Sequence, residues 1–356
     1  MGIASVFAVI LILQGFQQGS ITQMERVALD RGAQLIATQA GVRNMVGARS
    51  VIPQMARAQV EAVQGVRIAN PMTAQPFIYE KDGRKNALFL FVIDSAGGPA
   101  EVEEGRLLEG EGEILIDRSL ARLYDLAPGD DLVLAGYAFK IVGVTEPTSA
   151  FWTPFAFSNY DSLLEFYFES SLANDISAFP LLSYLLIDLE PGADPPTVAA
   201  LIEQAVPDVD VFTPEVLAQG DKELGKTMLG AILTLLIGVA YVAGLLVIAL
   251  FMFTAAEARR KDLGILKALG FDDRTILVSI VAEVSLLVAF AIPLGIAIAL
   301  LTTAIARALA PIYLIQPVLL GPLLWAIAGC ILFSLLGALG PWRLIRGLEA
   351  AEGFRP

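Results

Sequence analysis

The sequence predicts an α-helical membrane protein with four transmembrane helices and an α+β domain, outside the cytoplasm, inserted between the first and second helices. Three observations carry this reading. Apolar residues make up 56% of the chain and charged residues only 17%. The apolar residues gather in four runs, and a long stretch of mixed strand and helix patterning separates the first run from the other three. A soluble domain usually stands near 45–50% apolar and ~25% charged, so an ordinary soluble enzyme is excluded.

The first run, Gly2 to Leu13, is shorter than the ~17 residues a span needs. A cleaved signal peptide carries a basic leader, and no Lys or Arg precedes Arg26. Residues 1–19 therefore read better as a first span than as a signal peptide, either N-terminally truncated, with its cytoplasmic end missing, or completed by Gln14–Gly19.

Residues 20–227 read as the outer domain with its stalks. Apolar or small positions at Ile21, Met24, Ala28, Leu29 and Leu35 predict a helical stalk over 14–45. Phe77–Glu80 and Ala87–Ile93 read as strands, with Asp82-Gly83 as a hairpin turn. Glu113–Asp117 then reads as a strand, Arg118–Tyr124 as a helical turn and Ala127-Pro128-Gly129-Asp130 as a turn. Leu132–Ala135 with Phe139–Val144 reads as a hairpin, Tyr184–Leu189 as a strand and Thr197–Ala205 as a helix. Such mixing predicts an α+β domain in two lobes, with 214–227 as the returning stalk. Between residues 20 and 226 stand 15 basic and 30 acidic residues, which argues against nucleic acid as a partner.

The second span, 228–254, contains an uncharged run of 26 residues, longer as a helix than the ~30 Å hydrocarbon core. A third span, 275–306, carries one charge, Glu283, and a kink is expected near Pro293. The fourth occupies 318–341. Between the second and third spans, residues 255–274 hold Arg259, Arg260, Lys261, Lys267 and Arg274, whereas 307–317 hold only Arg307. The tail, 342–356, adds Arg343, Arg346 and Arg355. The excess of basic residues assigns 255–274 and the tail to the cytoplasm and the large domain to the opposite side.

Few residues offer chemistry. Histidine is absent, which removes histidine-based triads, dyads and metal sites. Cys330 lies alone in an apolar run and reads as a small buried hydrophobe. Gly220-Asp221-Lys222-Glu223-Leu224-Gly225-Lys226-Thr227 fits the phosphate-loop expression G-x-x-x-x-G-K-[ST]. A phosphate loop follows a buried strand and opens a helix in a nucleotide-binding sheet. This one abuts a span on the outer side, so it reads as a chance match. Glu283 is an intramembrane polar candidate, with a structural contact or a role in gating both open.

The segment Glu257 to Gly270 is the most informative. Leu263, Leu266 and Leu269 recur at helical spacing among basic residues, and Gly270 is placed to cap the helix. Physical chemistry alone leaves two readings: a plain interfacial helix with snorkelling basic groups, or a docking helix.

Arg260-Lys-Asp-Leu-Gly-Ile-Leu-Lys-Ala-Leu-Gly270 resembles the signature loop of FtsX-like permeases, with Asp262 where Glu is usual. Gly105-Arg106, Glu113–Asp117, Leu126–Asp130 and Phe139–Val144 resemble the outer core of MacB-type permeases. Glu283, Pro293 and Gly295, and then Gly340-Pro341 with Glu349-Ala350, resemble the third span and C-terminal end of the same family. The sequence is thus similar to FtsX-like/MacB-type ABC transporter permeases, of the DevC-like or lipoprotein-releasing kind. It departs from them in starting inside the first span and in an apolar rather than Ala- and Arg-rich tail, Trp342–Leu348.

The resemblance implies a permease subunit, not itself an enzyme, in a bacterial cytoplasmic (inner) membrane, with a MacB-like periplasmic core. No cofactor is expected in this chain; ATP would be bound by a separate ABC ATPase subunit. It implies a mechanotransmission exporter in which a second permease protomer pairs with the first, as homo- or heterodimer. Whether an adaptor of the membrane-fusion type joins it stays open. Glu257, Arg260, Lys261, Leu263, Gly264, Leu266, Lys267 and Gly270 are the residues expected to meet the ATPase. Two rivals remain: an FtsX-type regulator that activates an outer cell-wall hydrolase, and a membrane-anchored sensor with no ATPase.

Overall fold

The computed structural model describes residues 2–148, 150, 152–170, 182–337 and 343, and they form two compact units. The first unit comprises residues 1–19, 229–309 and 315–356; the second comprises 20–228 and 310–314.

Among the described residues four helices are long and apolar enough to cross a membrane. They are built on α1 (Gly2–Leu29), α7 (Ala231–Ala258), α9 (Asp273–Leu309) and α10 (Leu320–Gly337). Helix α9 continues through Pro293 rather than ending there. In the first unit Phe7, Ile10 and Leu11 of α1 pack with Ala240, Ile248 and Met252 of α7, Val288 and Ala299 of α9, and Cys330 and Phe333 of α10. Close approach depends on glycine. A Cβ at Gly295 would lie 2.7 Å from the Phe7 ring and 2.8 Å from the Ala4 carbonyl oxygen, as expected where small residues bring spans together. Gln14 donates to the Tyr241 hydroxyl at 3.1 Å, a polar tie between α1 and α7. The sequence-assigned tail and the end of the fourth span lie outside the described residues, apart from Arg343.

The second unit is a ten-stranded mixed sheet with helices on its faces. Its strands are β1 (Leu35–Gln39), β2 (Val66–Lys81), β3 (Arg84–Ile93), β4 (Glu104–Gly105), β5 (Glu113–Asp117), β6 (Asp131–Leu134), β7 (Tyr137–Thr145), β8 (Phe155–Asn159), β9 (Tyr184–Leu189) and β10 (Val209–Phe212). They run in the order β10-β1-β9-β2-β3-β8-β5-β7-β4, with β6 paired to β7. Pairs β3–β8 and β5–β7 are parallel and the rest antiparallel. The helices are α2 (Met55–Glu61), α3 (Arg118–Tyr124), α4 (Tyr160–Glu169), α5 (Pro195–Ala205) and α6 (Pro214–Gly225).

The two expected lobes share this one sheet. The long strand β2 joins them: Val66–Met72 pairs with β9, and Met72–Lys81 pairs with β3. On one side of that junction, α2 and α5 cover Leu35, Ala37, Leu185 and Ile187. On the other, α3 and α4 bring Leu120, Tyr124 and Phe166 onto Leu90, Ile116 and Phe139. A third core gathers Met72, Phe91, Phe157 and Leu186 with Val27 and Ala28 of α1 and Leu217 and Ala218 of α6. At the β2–β3 hairpin, Asp82 (φ 53°) and Gly83 (φ 75°) both adopt positive φ, as a two-residue type I′ turn requires.

The stalk is shorter than its periodicity suggests. Helix α1 ends at Leu29, and 35–39 is the buried strand β1 rather than helix. Gly32, at φ +68°, makes the turn between them.

Candidate functional site

Helix α8 (Arg260–Ala268) connects α7 to α9. Arg259, at φ −107° and ψ 17°, breaks the backbone between α7 and α8. The far end closes with the paired bonds of a Schellman motif: Phe271 N–H donates to the Leu266 carbonyl and Gly270 N–H to that of Lys267, both at 3.1 Å. Gly270 stands at φ +92°, where a side chain would be strained. Asp272 then opens α9, its Oδ1 accepting from the Thr275 amide at 3.3 Å and from the Thr275 hydroxyl.

The eight expected contact residues divide by face. Leu263 and Gly264 are buried, and Leu263 shares a core with Ala256, Ile276 and Ile280. Glu257, Arg260, Lys261, Leu266 and Gly270 are exposed. Arg260 pairs with Glu257 at 3.3 Å. Lys267 is half-buried and pairs with Asp273 at 3.1 Å, tying the last turn of α8 to the first of α9. Ile265, Leu269 and Phe271 are exposed beside Leu266, so apolar groups and the Lys261 cation share the outward surface. Leu269 is 72% exposed, a poor position for a large apolar side chain unless it meets lipid or protein.

Glu283 is no orphan charge. Arg259 donates to it at 2.8 Å, bracing the end of α7 against α9. Both line a cavity of about 500 Å³ with Phe251, Asp262, Leu266 and Ser279. The sequence marks Arg259 only as one of several basic residues, because the partner that singles it out lies 24 residues away.

In the second unit the polar groups brace structure. Asp117 is buried and caps α3 through the Ser119 amide at 2.6 Å, while its other oxygen accepts from the Thr148 amide. Burial pushes its carboxyl above the usual range. Glu113 accepts from the Arg106 guanidinium and from the amides of Glu109 and Gly110, and these bonds, the Arg106 one first, hold its pKa down at about 2. Arg31 is buried over the stacked pair of rings Phe91 and Phe157, at 5.5 Å from each centroid, and donates to the Gly97 carbonyl at 2.6 Å. Desolvation lowers its pKa to about 10. The phosphate-loop look-alike starts in the middle of α6 and runs into the π-helical turn Lys226–Gly230 that follows, so it is helix throughout and not a loop joining a strand to a helix N-terminus. Among the described residues no cluster of three or more acidic or cysteine side chains is placed to hold a metal ion.

Comparison with known proteins agrees with this architecture. The MacB-like periplasmic core domain family matches residues 1–205, and the FtsX-like permease C-terminal family matches residues 234–350. The chain belongs to the FtsX/MacB family of ABC transporter permeases. Among its relatives is an uncharacterized ABC transporter permease of Mycobacterium bovis, 24% identical over 280 residues, or 78% of this chain and 73% of that one. Counterparts in two Mycobacterium tuberculosis strains match equally. Two solved structures are similar to part of this chain. The periplasmic region of MacB from Actinobacillus actinomycetemcomitans has a TM-score of 0.39 at 13% identity, covering 54% of this chain and 94% of that one. The extracellular domain of the noncanonic ABC-type transporter YknZ from Gram-positive bacteria has a TM-score of 0.37 at 12% identity, covering 51% and 100%.

The permease is therefore a multi-pass membrane protein whose large domain is homologous to the MacB periplasmic domain, and its family implies an ATPase partner. Permeases of this family are typically non-catalytic.

Proposed function

We propose that this permease is the membrane subunit of a mechanotransmission exporter, with α8 as the surface that receives the stroke of a separate ATPase. The observation that carries the reading is the build of α8. It is short, capped at its C-terminus, tied to α7 and α9 by ion pairs, and it presents Lys261, Ile265, Leu266 and Leu269 outward. A rigid connector of this kind passes a push to both spans at once. ATP would be bound and hydrolysed by the partner, and residues 255–274 would face the cytoplasm as their charges require.

The stroke would travel through α1 and α6–α7 to the outer domain and move substrate already at the outer face. A second permease protomer completes this reading, because a closing pair of ATPase subunits needs two receiving surfaces.

The test is recovery of an ABC ATPase with the tagged permease from its native host in mild detergent. The variant of choice is Lys261→Glu with Leu269→Asp, since both side chains point outward. Changing Gly264 or Lys267 instead would disturb the buried face or the Asp273 pair. An ATPase recovered with the wild type and lost with the variant supports the reading. A folded wild type that brings down no ATPase overturns it in favour of an anchored sensor.

A further inference from the structure

The segment that imitates a phosphate loop has a structural task, and each of its distinctive residues has a partner. Asp221 is fully buried on α6. Its Oδ1 accepts from the amides of Met45 (3.0 Å) and Val46 (2.9 Å), which belong to the loop after β1. That loop is held from the other side, where the Tyr184 hydroxyl on β9 donates to the Met45 carbonyl at 2.9 Å. Arg43 lies over the Phe212 ring of β10 at 5.4 Å.

The glycines make the contact possible. A Cβ on Gly220 would collide with the Arg43 carbonyl oxygen, and one on Gly47 with the Leu224 side chain. Lys222 pairs with Glu25 of α1 at 2.8 Å, and a Cβ on Gly225 would lie 2.6 Å from the Met24 sulfur. Within this unit α6 is thus gripped by the 43–47 loop along one side and by α1 along another.

We propose that Asp221 is a positioning residue that clamps the returning stalk α6 to the outer domain, so that displacement of the stalk is delivered to the sheet rather than lost in a sliding contact. The clamp rests on the mechanotransmission reading and adds to it the point of attachment. Two backbone amides aimed at one buried carboxylate oxygen fix the register between helix and loop. Removing that acceptor leaves the buried Met45 amide and the half-buried Val46 amide unsatisfied. Movement of α6 past the loop would break both bonds together. Through Tyr184 the loop is joined to β9, which pairs with both β1 and β2.

The experiment uses the full-length permease with its ATPase in lipid nanodiscs, in a Cys330→Ala background. Spin labels at Arg49→Cys and Thr302→Cys report the distance between them with and without trapped ATP. The wild type is expected to shift with nucleotide. Asp221→Leu, which lacks an acceptor, and Gly220→Ala, which wedges the loop away, should lose the shift yet keep ATP hydrolysis. Asp221→Asn, whose amide oxygen can accept both bonds, should retain it. Amide exchange at Met45 and Val46 should rise in the first two variants only. A full nucleotide-dependent shift in Asp221→Leu overturns the clamp and leaves the exporter reading standing. A wild type that hydrolyses ATP with no shift overturns the mechanotransmission reading and the clamp's role with it.

Discussion

Arg259 Nη1 lies 2.8 Å from Glu283 Oε2, so the break between α7 and α8 is pinned to α9 by a charged pair. Both side chains are partly exposed, at 58% and 42%, and an exposed pair of this kind contributes about 0.2–1 kcal/mol. Glu283→Ala and Arg259→Ala should each lower the melting temperature of the purified permease slightly. The exchange Arg259→Glu with Glu283→Arg should restore most of the loss, giving a coupling energy of about 1 kcal/mol or less in a double-mutant cycle. A gating role predicts otherwise: transport would stay impaired in the exchanged protein after its stability returned.

Gly270 occupies φ +92°, where a Cβ is strained. Gly270→Ala should cost about 1 kcal/mol locally, because two bonds of the helix cap depend on that conformation. The Phe271 and Gly270 amides would exchange faster while the rest of the chain stays unchanged. Since α8 keeps its exposed side chains, binding of the ATPase should weaken less than with Lys261→Glu and Leu269→Asp. An equal loss would mean that the cap, rather than the exposed face, sets the affinity.

What sequence patterning made legible follows from where the signal is local. The hairpin at Asp82-Gly83 and helix α3 behind Asp117 are each specified within a few residues, and both form as their residues suggest. The α8 segment announces itself through basic residues and leucines at helical spacing, ending at Gly270. Leu35 continues the apolar period of α1, so the pattern carries the stalk past the end of the helix at Leu29. The countersignal was Gly32, a breaker at positive φ. Strands β8 and β10 and helix α2 carry little periodicity of their own and are fixed by the sheet they join. Pairings such as Arg259–Glu283 or Asp221 with the Met45 amide span 24 and 176 residues. No spacing rule reaches that far, and at Asp221 the one familiar pattern pointed to phosphate instead.

Asp117 offers a sharp test of the outer domain's stability. One carboxylate caps α3 through Ser119, and its second oxygen holds the Thr148 amide beyond β7. Asp117→Ala removes the cap and strands a buried donor, at a cost of about 2–3 kcal/mol. At about 2–4 °C per kcal/mol for a domain of this size, melting should fall by about 5–10 °C. Asp117→Asn keeps one acceptor and should lose less. A change of under a degree in Asp117→Ala would show that Thr148 and α3 find other partners.

Burial raises the Asp221 carboxyl to about 7, above its ordinary 3.8, against the opposing effect of the Val46 and Met45 amides. The Tyr184 hydroxyl faces the same loop, and the neighbouring Lys222 is engaged with Glu25. The sign follows from proton binding. Between pH 4 and 7 the folded protein holds a proton that the unfolded chain has released, so this group's contribution falls as pH rises and is lost above 7. Glu113, held at about 2, acts oppositely: its contribution is complete above its ordinary value of 4.5 and vanishes as pH drops toward 2. Asp221→Asn cannot ionise. Its melting temperature relative to wild type should therefore climb from pH 5 to about pH 7 and level off by pH 8, while Glu113→Gln stays below wild type by the same margin throughout that interval. Thermal melts of both variants at pH 5, 6, 7 and 8 decide it: a flat difference for Asp221→Asn would mean that Asp221 is already ionised at pH 5 and that the two amides outweigh its burial.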